Sequence, residues 1–280
     1  MKKRPLPEGR ASIRPGRKKL LMCPPDFFGI EYEINPWMSL KNPADPKRAG
    51  KQWDRLFRLL TETLAIPVEL VAPRSGLPDL VFTANAGLAA GNKIWISNFR
   101  HEERRGEQAV FIDWFVRHGY ETVEMSPDIS FEGEGDFLWM GEHLFGGYPF
   151  RTDLSAHVLL SGALKCDLIS LELIHPKFYH LDTCFCPLDS RSALFVPDAF
   201  SPGSLKILSA TVENLIPLNP AESALFAANA IVTESAVVFQ AGAEEIRKKI
   251  EREGFDVYPV DLSEFIKAGG SAKCLVLWLE

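Results

Sequence analysis

Apolar residues recur at two periods along the chain. Between Arg48 and Leu64, Trp53, Leu56, Phe57, Leu60 and Leu64 fall at helical spacing, and the stretches 103–118 and 244–253 also read as helices. Elsewhere the period is two. Lys93–Ser97 and Ser235–Gln240 alternate as half-buried strands do. Residues 137–146 and 184–196 each read as two strands joined by a turn. The expected unit is therefore a strand, a helix and a strand pair, repeated about five times in an α/β fold.

The repeat is also visible in the residues. Phe82-Thr-Ala-Asn-Ala86 and Phe226-Ala-Ala-Asn-Ala230 differ at one position. The position held by Asn85 and Asn229 has counterparts in Asp136, Asp182 and Cys274, with successive spacings of 51, 46, 47 and 45 residues. Asn35, 50 residues before Asn85, reads as an earlier member. A period near 47 residues suits a solenoid or a radial array. In a radial array the five polar or reactive side chains meet near one axis. No Gly/Ser-rich or Pro-rich break divides residues 20–280, so one domain is expected there.

Bulk properties narrow the class. The chain has 280 residues, 46% of them apolar, which is ample for a large core. A net charge of −6 argues against a nucleic-acid partner. No apolar run approaches the roughly 20 residues that span a bilayer, and no apolar stretch follows the charged start as in a secretory leader. A cytoplasmic protein with no membrane partner is expected. Residues 1–19 carry eight Lys/Arg and three prolines against Glu8 alone, and read as a disordered basic arm. The five cysteines have no framework spacing and read as free thiols. Cys184 and Cys186 lack the second pair that a zinc site requires, so no metal is expected.

Candidate chemistry centres on Cys274, which follows a Gly269-Gly270 turn. A thiol nucleophile needs a proton shuttle, and His180 can supply one. A carboxylate must orient that histidine. Glu132, Glu134 and Asp136 compete for the role in Phe131-Glu-Gly-Glu-Gly-Asp136. The neighbouring Lys273 is expected to point away from the thiol, as adjacent strand residues do.

These stretches, with Gly147-Tyr-Pro-Phe-Arg-Thr-Asp153 and Gly269-Gly-Ser-Ala-Lys-Cys274, resemble the guanidino-group-modifying superfamily. Arginine deiminases, dimethylarginine dimethylaminohydrolases and amidinotransferases belong to it. Within it the similarity is greatest to the arginine dihydrolases, which carry Asn in the Phe-Thr-Ala-Asn motif. The resemblance covers about residues 20–280 and implies a five-bladed α/β propeller. It further implies Cys274 as nucleophile, His180 as acid/base and Glu132 as third member, with Glu134 left as the alternative. The implied substrate-binding set is Asn85, Asp182, Arg104, Arg151, Asp136, Asn35 and Met38. Asp182 would grip the guanidinium, and Arg104 and Arg151 the substrate carboxylate. Asn35 and Met38 would close over the pocket.

The expected activity is hydrolysis of arginine through an S-alkylthiouronium, with a small-molecule substrate and no cofactor. Asn85, offering an amide donor and acceptor, would let the reaction continue from citrulline to ornithine. Deiminase, dimethylaminohydrolase and amidinotransferase activities remain alternatives. So does a binding protein of the same fold, such as a ribosome anti-association factor, although that relative lacks the catalytic set. A homo-oligomer is left open.

Overall fold

The computed structural model describes Gly16 and residues 18–280. Most of the basic arm expected at 1–19 therefore lies outside the described residues, and Lys19 opens the first strand. In chain order the strands are β1 (Lys19–Met22), β2 (Val68–Leu70), β3 (Gly87–Ala90), β4 (Lys93–Ile96), β5 (Glu121–Glu124), β6 (Phe137–Met140), β7 (His143–Tyr148), β8 (Asp167–Glu172), β9 (Phe185–Pro187), β10 (Ser192–Phe195), β11 (Asn214–Pro217), β12 (Ile231–Val232), β13 (Ala236–Gln240), β14 (Asp256–Val260) and β15 (Leu277–Leu279). The helices are α1 (Pro46–Arg58), α2 (Glu102–Arg117), α3 (Leu154–Leu164), α4 (Pro202–Thr211), α5 (Pro220–Ala224), α6 (Glu244–Arg252) and α7 (Ser263–Ile266).

The strands form five three-stranded sheets with one repeated topology: β3-β4-β5, β6-β7-β8, β9-β10-β11, β12-β13-β14 and β15-β1-β2. In each, the first two strands are antiparallel and the third runs parallel to the second. A parallel partner requires a crossover. Helices α2, α3, α4, α6 and α1 supply one in each sheet. The fifth sheet joins distant segments, with Leu20 opposite Trp278 and Leu21 opposite Leu277.

First strands are buried along their whole length in β6, β9, β12 and β15. Covered on both faces, they read as apolar runs without alternation. Phe131, Phe137, Phe145, Phe185 and Phe239 fill the space between sheets. Each such side chain contributes about 1.5–3 kcal/mol by leaving water.

Helix α1 begins where Asp45 accepts from the backbone N–H groups of Lys47 and Arg48, with Pro46 at the first position. It buries Ala49, Gln52, Trp53 and Leu56. The pattern that predicted a helix to Leu64 continues as a wider turn over Leu59–Thr63, which stops before the left-handed Ala65. Helices α3 and α4 escape periodicity. Helix α3, Leu-Ser-Ala-His-Val-Leu-Leu-Ser-Gly-Ala-Leu, carries no acidic or basic side chain except His157, and it is apolar on most of its circumference. No helix among the described residues is long and apolar enough to cross a membrane.

The repeat position falls at the same place in every sheet. Asn85, Asp136, Asp182, Asn229 and Cys274 each sit in the turn before β3, β6, β9, β12 and β15, and each is at most 3% exposed. Asn35 does not belong to the series. It lies in the segment between β1 and α1, and the fifth sheet already has Cys274 at the equivalent turn. The spacing of 50 misled because it matched the period without a following strand.

Candidate active site

The turns before the first strands bring together residues far apart in sequence. A pocket of about 270 Å³ opens among them, lined by Asn35, Met38, Asn85, Arg104, Arg151, His180 and Cys274, with Asp79 and Tyr179 beside them. Three sequence-predicted residues are not on its wall. Glu132 stands behind His180, Asp182 lies against the sulfur of Cys274, and Asp136 is elsewhere.

Asp136 corrects an expectation. Its carboxyl accepts from Thr152 Oγ1 at 2.6 Å and from the Leu181 backbone N–H at 3.2 Å. Burial pushes its pKa well above the usual carboxylate range despite these bonds. It fastens the Glu132 turn to the His180 turn and presents nothing to the pocket.

Glu132 and Glu134 differ in direction. Two residues apart on a single 3₁₀ turn, they face opposite ways. Glu132 Oε2 lies 2.9 Å from His180 Nε2. Glu134 Oε2 lies 3.0 Å from Lys273 Nζ. The lysine side chain thus turns away from the thiol of its neighbour.

Glu132 is wholly buried. It also accepts from Arg151 Nη1 at 3.3 Å and from the Arg100 backbone N–H at 3.2 Å. Burial alone would raise its pKa, but Arg151 and His180 outweigh burial and hold it well below the carboxylate range. An ionised carboxylate can only accept, so His180 carries its proton on Nε2 and keeps Nδ1 basic. Burial lowers the His180 pKa to about 4 against the pull of Glu132, so the ring is neutral near pH 7. Gly135 makes this packing feasible: a Cβ there would lie 2.2 Å from Asn85 Nδ2 and 3.1 Å from His180 Nδ1.

Cys274 Sγ lies 3.3 Å from Asp182 Oδ2 and 3.1 Å from Asn229 Nδ2. Burial and the Asp182 charge raise the thiol pKa well above its ordinary value, which favours the thiol over the thiolate. Burial likewise lifts Asp182 to about 7, against the Lys273 cation. Its Oδ1 is buried without a hydrogen-bond partner among the described residues.

The two expected carboxylate-binding arginines are unequal. Arg104 gives Nε and Nη2 to Glu107, each at 2.8 Å, and Nη1 to Asn85 Oδ1 at 2.9 Å. It is largely a framework cation. Arg151 donates to Glu132 and to the Ile34 carbonyl at 2.9 Å, and lies over the Tyr179 ring. Arg104 also fixes the amide of Asn85. A guanidinium has only donors, so the oxygen must face it, and Nδ2 is left toward the Glu132 carbonyl at 3.3 Å. The acceptor expected to meet a substrate is thus already occupied, while the NH₂ end remains.

Three residues were missed in the sequence, and so was the role of a fourth. Asp79 is 2% exposed and lines the pocket, taking a bond from Tyr32 at 3.0 Å while its Oδ1 has no partner among the described residues. Tyr179 donates to the Gly269 carbonyl at 2.7 Å. Glu107 holds Arg104, and Asn229 holds Cys274. Asn229 alone had a signal, its shared pentapeptide.

Residues 33–279 match the family model described as N,N dimethylarginine dimethylhydrolase, eukaryotic. The chain belongs to this family, and so to the guanidino-group-modifying superfamily. It is 42% identical over 266 residues to the bifunctional arginine dihydrolase/ornithine cyclodeaminase AgrE of Nostoc sp., covering 93% of this chain but 38% of AgrE. The chain therefore spans well under half of that relative. It is 38% identical to the N(G),N(G)-dimethylarginine dimethylaminohydrolase of Mycobacterium tuberculosis, over 94% of this chain and 86% of the relative. The crystal structure of the substrate-bound N-terminal domain of ArgZ, a cyanobacterial arginine dihydrolase, superposes with a TM-score of 0.89. It is 39% identical and covers 93% of this chain and 97% of that domain. The mixed α/β fold is shared with it.

Proposed function

We propose that the protein hydrolyses the guanidino group of arginine through Cys274 and carries the reaction on to ornithine, carbon dioxide and ammonia. We further infer that its five sheets close into a five-bladed propeller whose axis passes the pocket, a reading supported by their repeated topology. The observation that carries the activity is the arrangement of His180 and Cys274 on one pocket whose Asn85 amide has its NH₂ end uncommitted to Arg104.

A guanidinium is flat and delocalised, so its carbon is a poor electrophile until held. Asp182 is placed to pair with the N–H groups of a guanidinium lying beside the sulfur. Its unpartnered Oδ1 supports that role. An arriving cation also offsets the carboxylate charge that keeps Cys274 protonated, which favours the thiolate. Cys274 passes its proton to His180 Nδ1 as the sulfur attacks the central carbon, the imidazolium gives that proton to the departing nitrogen, and ammonia leaves. His180 Nδ1 then takes a proton from water, which attacks the S-alkylthiouronium, releasing citrulline and the thiolate. Orientation of this kind can replace about 7–11 kcal/mol of a barrier. Arg151 receives the α-carboxylate, while Arg104 stays bound to Glu107 and Asn85 beside it. Asp79 receives the α-ammonium, supported by its unpartnered Oδ1 and by the nearby Ile34 carbonyl.

Citrulline is neutral and carries a carbonyl oxygen where arginine carries nitrogen. An N–H at Asn85 Nδ2 suits that oxygen and has nothing to accept it on a guanidinium. This supports a second round, in which water converts citrulline to ornithine, carbon dioxide and ammonia. Asn85→Asp should stop at citrulline, so that ammonia released per arginine falls from two to one. Ornithine still formed by that variant would refute the role of Asn85. Asp79→Asn should raise KM for arginine by about 10- to 100-fold, the scale of one charged hydrogen bond. It should leave KM for a guanidino acid lacking the α-amino group unchanged; equal shifts for both would remove Asp79 from substrate binding.

A second reading has its own support. The family model and the M. tuberculosis relative both carry the dimethylarginine name, and the same machinery would expel dimethylamine in place of ammonia. Quantifying ornithine, citrulline and dimethylamine after incubation with arginine and with dimethylarginine separates the two.

A further inference from the structure

We propose that Asn229 is a catalytic residue, whose side-chain N–H, 3.1 Å from Cys274 Sγ, is the donor that stabilises the sulfur as thiolate both before attack and when it departs from the thiouronium. The identity of the guanidino substrate rests on the function proposed above; the state of the sulfur does not.

The direction of the amide is fixed by its other partners. Asn229 Oδ1 accepts from the backbone N–H groups of Ser271 at 3.1 Å and Cys274 at 3.2 Å. Only an oxygen can serve two donors, so Nδ2 must face the other way. There it meets the sulfur and the Asp182 carbonyl, at 3.0 Å. One amide therefore shapes the turn that presents Cys274 and donates to its reacting atom. The residue is fully buried, where a hydrogen bond to a charge is strongest.

The repeat adds an independent observation. Asn229 and Asn85 occupy the same place in two nearly identical pentapeptides, yet only the second copy is strained. Phe226 has φ +53°, in the left-handed region that a bulky residue rarely adopts. Phe82, its counterpart, has φ −86°. A distorted turn immediately before Asn229 sets it apart from its twin, and such strain gathers at working sites. The Trp37 ring covers Phe226 at 4.6 Å.

The sulfur's charged surroundings do not replace this donor. Asp182 Oδ2 accepts the thiol proton and repels the thiolate that forms. His180, Arg104, Arg151, Asp79 and Tyr179 line the same pocket, while Lys273 is turned to Glu134. When the S–H bond breaks, its proton passes to the basic His180 Nδ1, the electron pair stays on sulfur, and the Asn229 N–H remains on nitrogen and shortens its contact.

The test is the pH dependence of Cys274 alkylation by iodoacetamide without substrate, read on the peptide containing Cys274 by mass spectrometry. The thiolate displaces iodide and gives the carbamidomethyl thioether. Asn229→Asp keeps an acceptor for the Ser271 and Cys274 N–H groups but puts an oxygen against sulfur. Asn229→Ala removes the donor without adding charge, and serves if the Asp variant does not fold. The alkylation midpoint should rise by about one pH unit or more in a folded variant. The turnover number should fall about 10²- to 10³-fold, as on removal of one donor to a developing anion. An unchanged midpoint in folded Asn229→Ala overturns the proposal, even if turnover falls, because Asn229 would then be scaffold alone. Unmutated protein that alkylates as expected but leaves arginine intact would refute the arginine reading and not this one.

Discussion

Arginine incubated with the Cys274→Ala protein should be recovered unchanged, with turnover reduced on the order of 10⁴-fold or more. No other cysteine can substitute. Cys184 and Cys186 are buried within or beside β9, Cys23 is buried next to β1, and Cys166 is only half-buried just before β8. None of them lines the pocket. The substitution removes little volume and leaves the Asn229 bonds to the backbone N–H groups of residues 271 and 274 intact, so the fold should persist and arginine should still bind. Calorimetric titration with arginine checks this. Binding without turnover is the expected pair of results; retained turnover would exclude Cys274 as nucleophile.

Glu132→Gln should be nearly as damaging, with kcat reduced about 10²- to 10⁴-fold. The carboxylate accepts from His180, Arg151 and the Arg100 N–H at once. A glutamine has one accepting oxygen and must turn its NH₂ toward one of these donors. If it faces His180, the ring shifts its proton to Nδ1 and loses its base. Arg151 also loses its buried counter-charge, which typically costs about 3–5 kcal/mol. The variant should therefore melt earlier as well. Kinetics measured well below its melting temperature separate the two effects, and a folded Glu132→Gln protein with ordinary kcat would show that Glu132 does not serve His180.

What could be read in the sequence was whatever repeats locally. The two Phe-x-Ala-Asn-Ala copies, and the Asp and Cys residues at the same register, marked the turns that converge. Helices with a polar face were legible, whereas α3 was not, because an apolar helix has no period to detect. Direction was beyond reach. Glu132 and Glu134 are separated by a glycine with φ +57°, and only the folded turn sends one to His180 and the other to Lys273. Asp136 kept the register yet works as a fastener. Asp79 and Glu107 carry no motif; burial beside Arg104 gives them meaning, and that is a property of packing. Asn85 was recognised as a site, but Arg104 had to be placed before its amide could be oriented.

The pairing of β15 with β1 has a consequence for biosynthesis. The strand after the nucleophile docks on a strand near residue 20, so a nascent chain that already holds His180, Glu132 and both arginines still lacks Cys274. Until Leu277–Leu279 emerges from the ribosome, β1 has β2 on one side and an open edge on the other. Such an edge invites pairing with foreign strands. The reactive sulfur and the strand that covers this edge thus lie in one short stretch of chain, made after every other residue that lines the pocket.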